Sequence, residues 1–217
     1  SIVPIAVARS TVRIEIPFMI GVTALLFYQG RDGSISLADG GVLMVAFAAY
    51  MMYLYTMAMK SNVDSDLEEP GLPLGRCLLG AVGGLALIIA GSNVTVGAAT
   101  SIATYAGLSE RFIGLTIVAL GTSLPELFTS VAAARRGNAD IAIGNIVGSN
   151  IFNILFVVGL SSLIIDIPFA SAFNFDTYVA LGAAVLLWLC VLRTQRLQRW
   201  AGALMLVCYA AYLGYIL

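Results

Sequence analysis

Long runs of apolar residues, separated by short polar connections, dominate this chain. Seven such runs can be marked, at residues 16–30, 38–59, 77–105, 112–134, 141–165, 177–192 and 200–217. A helix needs about 20 apolar residues to cross the hydrocarbon core of a bilayer, and most of the runs reach that length. The pattern therefore predicts an all-α integral membrane protein with about seven transmembrane helices.

The distribution of basic residues predicts the orientation of these helices. If the runs cross the membrane in turn, nine of the eleven Lys and Arg residues fall on one side, and only Arg31 and Arg111 fall on the other. Cytoplasmic segments of membrane proteins carry the excess of Lys and Arg. We therefore expect a multi-pass protein of the plasma membrane, which is the inner membrane in a bacterium, with a cytoplasmic N-terminus and an external C-terminus. The acidic stretch 60–76, the longest polar connection, is then a cytoplasmic loop.

Composition narrows the range of functions. Apolar residues make up 60% of the chain and charged residues only 11%, so the lipid bilayer is its expected environment. The chain contains no His, which excludes a His-Glu-x-x-His zinc site and a Ser-His-Asp triad. No basic block is long enough to predict nucleic-acid binding, and the three cysteines are most simply small apolar side chains: Cys77, Cys190 and Cys208. We predict neither enzymatic activity nor a cofactor.

The two ends of the chain resemble each other. A shift of 161 residues without gaps gives these pairs: Ser1 and Ser162, Ser10 and Ser171, Glu15 and Asp176, Gly21 and Gly182, Leu26 and Leu187. The match continues from 41–44 to 202–205 and, after one inserted residue, from 48–50 to 210–212. Chance similarity between apolar helices is the alternative, but the matches keep the same order in both segments. Because the paired segments are five spans apart, the copies face opposite ways, as in the inverted repeats of secondary transporters.

The repeat predicts how the chain is divided. Residues 77–217 form a complete five-helix unit, and residues 60–76 are the acidic loop. Residues 1–59 are the last part of a twin unit, with the tail of one helix and two transmembrane helices. The predicted fold is therefore part of a ten-helix, 5+5 inverted-repeat transporter.

Glu126 lies in the middle of a long apolar run, at the end of the sequence Gly-Thr-Ser-Leu-Pro-Glu. A carboxylate at membrane depth costs at least about 2.5 kcal/mol, so it needs a partner there, by default a cation or a proton. Pro125 lacks an N–H and its ring clashes with the Gly121 carbonyl, which leaves backbone oxygens free beside the carboxylate. In a helical stretch four residues share one face, two of them with hydroxyls: Ala119, Thr122, Ser123 and Glu126.

Oxygens of this mix suit a hard cation. Two simpler interpretations stay open: the hydroxyls could bond to carbonyls of their own helix, and a protonated Glu126 could bond to a neighbouring helix.

The next apolar run carries a polar stripe at every fourth residue, namely Asn145, Ser149 and Asn153. Gly144 and Gly148 are spaced as in helices that pack closely, and polar amides in such a segment can join helices at about 0.6 kcal/mol each. Taken alone, the stripe favours packing. Its position directly after a run with a buried acid makes a cation site the stronger interpretation.

The two motifs together resemble a known family. Gly-Leu-Thr-Ile-Val-Ala-Leu-Gly-Thr-Ser-Leu-Pro-Glu at 114–126 and Gly-Asn-Ile-Val-Gly-Ser-Asn at 144–150 are similar to the second signature repeat of the cation/calcium antiporter superfamily, which includes the sodium/calcium exchangers and their bacterial relatives. The resemblance implies calcium/sodium antiport by alternating access. It also implies that calcium and sodium are held in turn by the side chains of Glu126, Thr122, Ser123, Ser149 and Asn153 and by the carbonyl of Ala119.

The chain departs from this family at two points. The first signature repeat, which supplies a second buried glutamate in the family, is absent, so we expect the missing N-terminal helices or a second copy of the chain to complete the site. A fragment that does not transport ions is the alternative. Asn153 is neutral where the potassium-dependent branch carries an acid, which argues against potassium co-transport. A calcium/proton antiporter and a cation channel also remain open.

Overall fold

The computed structural model describes residues 5–61, 74–108, 113 and 117–216. Within them, five helices are long and apolar enough to cross a membrane: Thr11–Asp32, Leu37–Met59, Gly75–Tyr105, Ile141–Ser162 and Phe173–Leu192. They correspond to five of the predicted apolar runs and confirm an all-α membrane protein. The acidic loop predicted at 60–76 falls largely on residues 62–73, which lie outside the described residues.

The helices are labelled in chain order. They are α1 Ile16–Gln29, α2 Leu37–Ser61, α3 Leu74–Tyr105, α4 Ala119–Thr122, α5 Leu124–Arg135, α6 Ala139–Phe152, α7 Gly159–Ser162, α8 Phe173–Leu192 and α9 Arg199–Ile216. A π-helical turn at Thr11–Glu15 precedes α1, and another at Asn153–Val158 joins α6 to α7. A 3₁₀ turn follows α1 at Gly30–Asp32. Short strands lie in the connections: β1 Ile5–Ala6, β2 Ser34–Ile35, β3 Ile167–Pro168 and β4 Arg196–Leu197.

Two helices begin earlier than the apolar runs predict. The first run begins at residue 16, but helical structure begins at Thr11, and the sixth begins at 177, but α8 begins at Phe173. The reason is that the first turns contain charged side chains such as Arg13 and Asp176, which end an apolar run without ending a helix. The two spans therefore reach 22 and 20 residues instead of the short lengths expected.

The chain forms two compact units. The first unit contains residues 1–65 and 133–207, and the second contains residues 66–132 and 208–217. The described helices of the first unit include α1, α2, α6 and α8, whereas α3, α4 and most of α5 belong to the second unit.

The first unit has an apolar core built from its long helices. Val12, Ile16, Leu43, Val147 and Ile151 are all at most 1% exposed. Many large apolar side chains on other faces of these helices are exposed, as expected for surfaces that meet lipid.

The strand pairs of the first unit repeat each other. β1 pairs with β4 so that Ile5 faces Leu197, and β2 pairs with β3 so that Ile35 faces Ile167. Adding 162 to the numbers of β1 and β2 gives the numbers of β3 and β4, so one pairing maps onto the other with the roles of the strands exchanged. Two copies of one chain segment, related by a two-fold operation, produce this geometry.

The strand register differs by one residue from the predicted shift of 161. The π-helical turn Thr11–Glu15 accounts for the difference near the start of the chain, because a π-turn contains one residue more than an α-turn. The offset is therefore 162 at β1 and 161 at Glu15, which still pairs with Asp176.

The same π-turn changes the backbone hydrogen bonds. The Ile16 N–H donates to the Thr11 carbonyl, five residues earlier, and the next residue, Pro17, has no N–H. The Val12 carbonyl instead accepts a hydrogen bond from the indole Nε1 of Trp188 on α8 at 2.9 Å. A side chain from another helix thus supplies the donor that the proline lacks.

Candidate functional site

The segment that carries Glu126 is interrupted. α4 ends at Thr122, Ser123 forms a turn, and α5 begins with the next residue. The helical stretch predicted from Ala119 to Glu126 is therefore interrupted, because Pro125 has no N–H to donate to the carbonyl four residues earlier. The Leu127 N–H still donates to the Ser123 carbonyl at 2.9 Å, so helical spacing resumes directly after the turn.

The side chains on both sides of the break differ in exposure. Thr122 and Ser123 are exposed, whereas Glu126 is half-buried and its Oε2 atom is buried. Ala119, whose carbonyl the resemblance implies as a ligand, is the first residue of α4. Four of the predicted ligands thus lie within one short segment of the second unit, with two hydroxyls next to a carboxyl group.

The carbonyl of Gly121 is not free, contrary to the prediction that Pro125 leaves it available. The Oγ of Ser92, on α3, donates a hydrogen bond to it at 2.5 Å. Gly121 is buried, and a Cβ atom at this position would overlap the side chain of Val96, one turn after Ser92 on α3. α3 therefore approaches the break closely because residue 121 has no side chain.

A small pocket lies between α3 and α5 next to this contact. Its volume is about 240 Å³, and its walls are mostly apolar, with the hydroxyls of Ser92 and Thr95 on the α3 side and Leu124 and Phe128 on the α5 side. The Thr95 hydroxyl donates to the Gly91 carbonyl of its own helix at 2.8 Å. The pocket therefore offers little polar chemistry of its own.

The other predicted ligands, Ser149 and Asn153, belong to the first unit. Ser149 is half-buried, and its Oγ donates to the Ile146 carbonyl at 3.1 Å, so its hydroxyl bonds within its own helix. Asn153 is exposed at the first position of the π-turn that follows α6. Asn145, at the start of the polar stripe, is half-buried.

Within the described part of the chain, no group of three or more Cys, Asp and Glu side chains could hold a metal ion. The predicted ligand set differs in kind from such a cluster, since Glu126 is its only acid and the others are hydroxyl, amide and carbonyl oxygens.

Sequence reasoning missed the contact between Ser92 and Gly121. The signal that could have found it is a polar pair, Ser92 and Asn93, inside the apolar run 77–105. Polar side chains in such a run often bond across to another helix. Which carbonyl accepts the bond follows only from the tertiary structure, because 29 residues separate the partners.

Comparisons with known proteins agree with this picture. The model of the family described as sodium/calcium exchanger protein matches residues 77–217. The chain is 36% identical over 220 residues to the putative antiporter CaxA of Alkalimonas amylolytica. This match covers 96% of this chain and 69% of CaxA. The chain is 37% identical over 174 residues to the inner membrane protein YrbG of Escherichia coli. That match covers 74% of this chain and 52% of YrbG.

A solved structure shows the same fold. It is the sodium-calcium exchanger NCX_Mj soaked with 10 mM Na⁺ and 10 mM Sr²⁺, which superposes with a TM-score of 0.78 at 30% sequence identity. The match covers 98% of this chain and 68% of the NCX_Mj chain. The chain therefore spans between 52% and 69% of the length of these three proteins. The family match and the shared inverted-repeat fold confirm the resemblance read from the two motifs. The chain belongs to the sodium/calcium exchanger family.

Proposed function

We propose that the protein exchanges sodium for calcium across a membrane by alternating access. Its family and its likeness to NCX_Mj support this function, and the putative antiporter CaxA supports exchange over conduction through a channel. The observation that carries the proposal is Glu126, a carboxyl group with a buried oxygen beside a proline-broken helix in an apolar span. The two ions are substrates, and the proposal needs neither a cofactor nor an enzymatic step.

The proposed ligands supply several types of oxygen. The carboxylate of Glu126 provides the charge that makes a divalent ion give up its water, and neutral oxygens complete the shell. These neutral oxygens come from the hydroxyls of Thr122 and Ser123, the carbonyl of Ala119, the hydroxyl of Ser149 and the amide of Asn153. Sodium and calcium compete for this set because both prefer oxygen ligands.

One carboxylate does not balance a divalent ion in a medium of low dielectric constant. Calcium takes six to eight oxygens, and the set above brings only one negative charge to them. We therefore propose that a second carboxylate completes the site, either from helices of the twin unit or from a second copy of this chain. On this proposal residues 77–217 are one whole repeat unit, and residues 1–59 are part of the other.

The proposed orientation follows the charge distribution. In the first unit Arg9, Arg193 and Arg196 are near the β1–β4 pair, whereas Arg31 is beside β2. We place the β1–β4 end in the cytoplasm, and the name of YrbG supports an inner membrane. Cysteine labels at Ser65 and at the C-terminus should then react from opposite sides of the membrane, and reaction from the same side would contradict this orientation.

The proposed function is tested with the complete gene product in vesicles loaded with sodium. Calcium uptake should require the outward sodium gradient, and Glu126→Gln should reduce it about 100-fold or more, because removing one charge from a balanced buried set costs about 3–5 kcal/mol. Insertion and yield should not fall, since a neutral side chain enters the bilayer more easily.

The matched control is Asp166→Asn, which removes an acid that is exposed. This variant should transport normally. Near-normal uptake by Glu126→Gln would refute the site. Calcium flux without a sodium gradient would indicate a channel, and uptake driven by a proton gradient alone would indicate a calcium/proton antiporter.

A further inference from the structure

Four hydroxyl groups of α3 donate hydrogen bonds of two kinds. Thr95, Ser101 and Thr104 each donate to a carbonyl four residues earlier in α3, at 2.8–2.9 Å. Ser92 instead donates across to another helix, to the carbonyl of Gly121. Back-bonding to one's own helix is the ordinary state of Ser and Thr in membrane helices. The Ser92 bond is therefore a different kind of contact.

The acceptor of this bond is the carbonyl that Pro125 leaves without a helical donor. In an α-helix the N–H of residue 125 would donate to the carbonyl of residue 121, but proline has no N–H. A buried carbonyl without a donor is unfavourable, and Gly121 is buried. Ser92 supplies the missing hydrogen bond from outside the helix.

The position of this bond connects it to the proposed ligands. Gly121 directly precedes Thr122, and Pro125 directly precedes Glu126. The direction of the Gly121 carbonyl fixes the peptide plane that leads into Thr122, so a donor that holds the carbonyl also holds the backbone of the break. The absence of a side chain at Gly121 brings α3 close enough for this contact, since a Cβ would overlap Val96.

We propose that Ser92 is a positioning residue of the ion site: its hydroxyl replaces the N–H that Pro125 lacks and holds the turn that presents Thr122, Ser123 and Glu126. This role rests on the proposed function. Ser92 touches no ion in this proposal, and it acts through the Gly121 carbonyl. It is a part of the site on a helix that carries none of the predicted ligands.

The inference predicts a change in calcium affinity. Ser92→Ala should raise the calcium dissociation constant about two- to tenfold, the equivalent of one intramolecular hydrogen bond. In transport, the KM for calcium should rise by the same factor while the maximal rate stays close to that of the wild type. Ser92→Thr, which keeps the hydroxyl, should restore the affinity. Ser101→Ala, on the same helix but with a hydroxyl bonded to Gly97, should bind calcium like the wild type.

A double-mutant cycle distinguishes positioning from a general structural effect. In Pro125→Ala the new N–H at residue 125 can donate to the Gly121 carbonyl, so Ser92→Ala should have almost no further effect on calcium affinity in that background. Calcium binding to the purified complete protein is measured by titration calorimetry for the wild type, both single variants and the double variant. Equal effects of Ser92→Ala in both backgrounds, or an effect no larger than that of Ser101→Ala, would overturn the inference.

The calorimetric readout separates this inference from the proposed function. If the wild type binds calcium but does not exchange it for sodium, the proposed function fails, and the cycle still decides the role of Ser92 in holding the site. If the wild type exchanges the ions and the cycle is additive, the function stands and the positioning role is refuted. A wild type that does not bind calcium overturns both.

Discussion

The π-helical turn before Pro17 and the helix break before Pro125 are chemically alike. In each, a proline withholds an N–H, and a side chain from another helix donates to a backbone carbonyl near it: Trp188 to Val12 in the first unit, and Ser92 to Gly121 in the second. A carboxylate lies within two residues of each proline. Each place thus has a proline, a carbonyl that accepts a hydrogen bond from another helix, and an acid. By these three features alone, both places are candidates for an ion site.

Their surroundings separate them. Glu15, beside Pro17, is only 9% exposed, accepts a hydrogen bond from the Thr11 hydroxyl at 3.1 Å, and is flanked by the buried apolar residues Val12 and Ile16. At the second break the two hydroxyl-bearing residues near the acid, Thr122 and Ser123, are exposed. We therefore propose that a broken helix with an acid is not sufficient for a site, and that neutral oxygens on exposed residues around the acid make the difference.

Replacing each acid by its amide should give the largest difference between the two places, measured as calcium uptake. Glu15→Gln keeps an oxygen that can accept from Thr11, so sodium-dependent calcium uptake should stay close to the wild-type rate, whereas Glu126→Gln should lose it. Both variants are compared in vesicles that contain equal amounts of protein. Loss of uptake in Glu15→Gln, with normal insertion, would show that the π-turn is also a functional site. The proposed difference between the two places would then be wrong.

A smaller effect is expected from the close approach at Gly121. Gly121→Ala should lower the free energy of unfolding by about 1–3 kcal/mol, since the added Cβ overlaps Val96 in a packed contact. The second change Val96→Ala should restore most of the loss, measured by thermal unfolding in detergent. Gly97→Ala is the control, because a Cβ there meets nothing within 4 Å. A Gly121→Ala protein as stable as this control would show that α3 does not depend on glycine here.

The sequence predicts those features of the fold that depend on local properties. Helices and their order follow from apolar runs, and the break at Ser123 follows from Pro125, which has no N–H. The early start at Thr11 was missed because Arg13 and Glu15 interrupt the apolar run but not the helix. Hydropathy averages over side chains, whereas a helix is continued by backbone hydrogen bonds.

Features that depend on distant contacts could not be predicted in this way. The strands β1 to β4 have two residues each, too few for an alternating pattern, and their pairing follows from the repeat. The donors Ser92 and Trp188 lie 29 and 176 residues from their acceptors. A proline in the sequence indicates that a carbonyl needs a donor, but the residue that donates is set by tertiary packing.

The smallest effect concerns the donor in the first unit. Trp188→Phe removes the indole N–H and with it one hydrogen bond to the Val12 carbonyl, so the free energy of unfolding should fall by about 0.5–1.5 kcal/mol, the net contribution of one such bond. Calcium affinity should not change, because no proposed ligand lies in the turn that this bond supports. The control is Trp200→Phe, since that indole donates to Gln198 at an exposed position and its loss should be nearly neutral.

The pairing of Trp188→Phe with Ser92→Ala gives the comparison its sharpest form. Both remove one hydrogen bond to a carbonyl beside a proline, so both should destabilise the fold to a similar degree. Only Ser92→Ala should also weaken calcium binding. The reason is that Ser92 holds the Gly121 carbonyl, which belongs to the turn that is proposed to present the ion ligands. A loss of calcium affinity in Trp188→Phe equal to that in Ser92→Ala would mean that general loosening of the helices, and not the position of the carbonyl, controls the site.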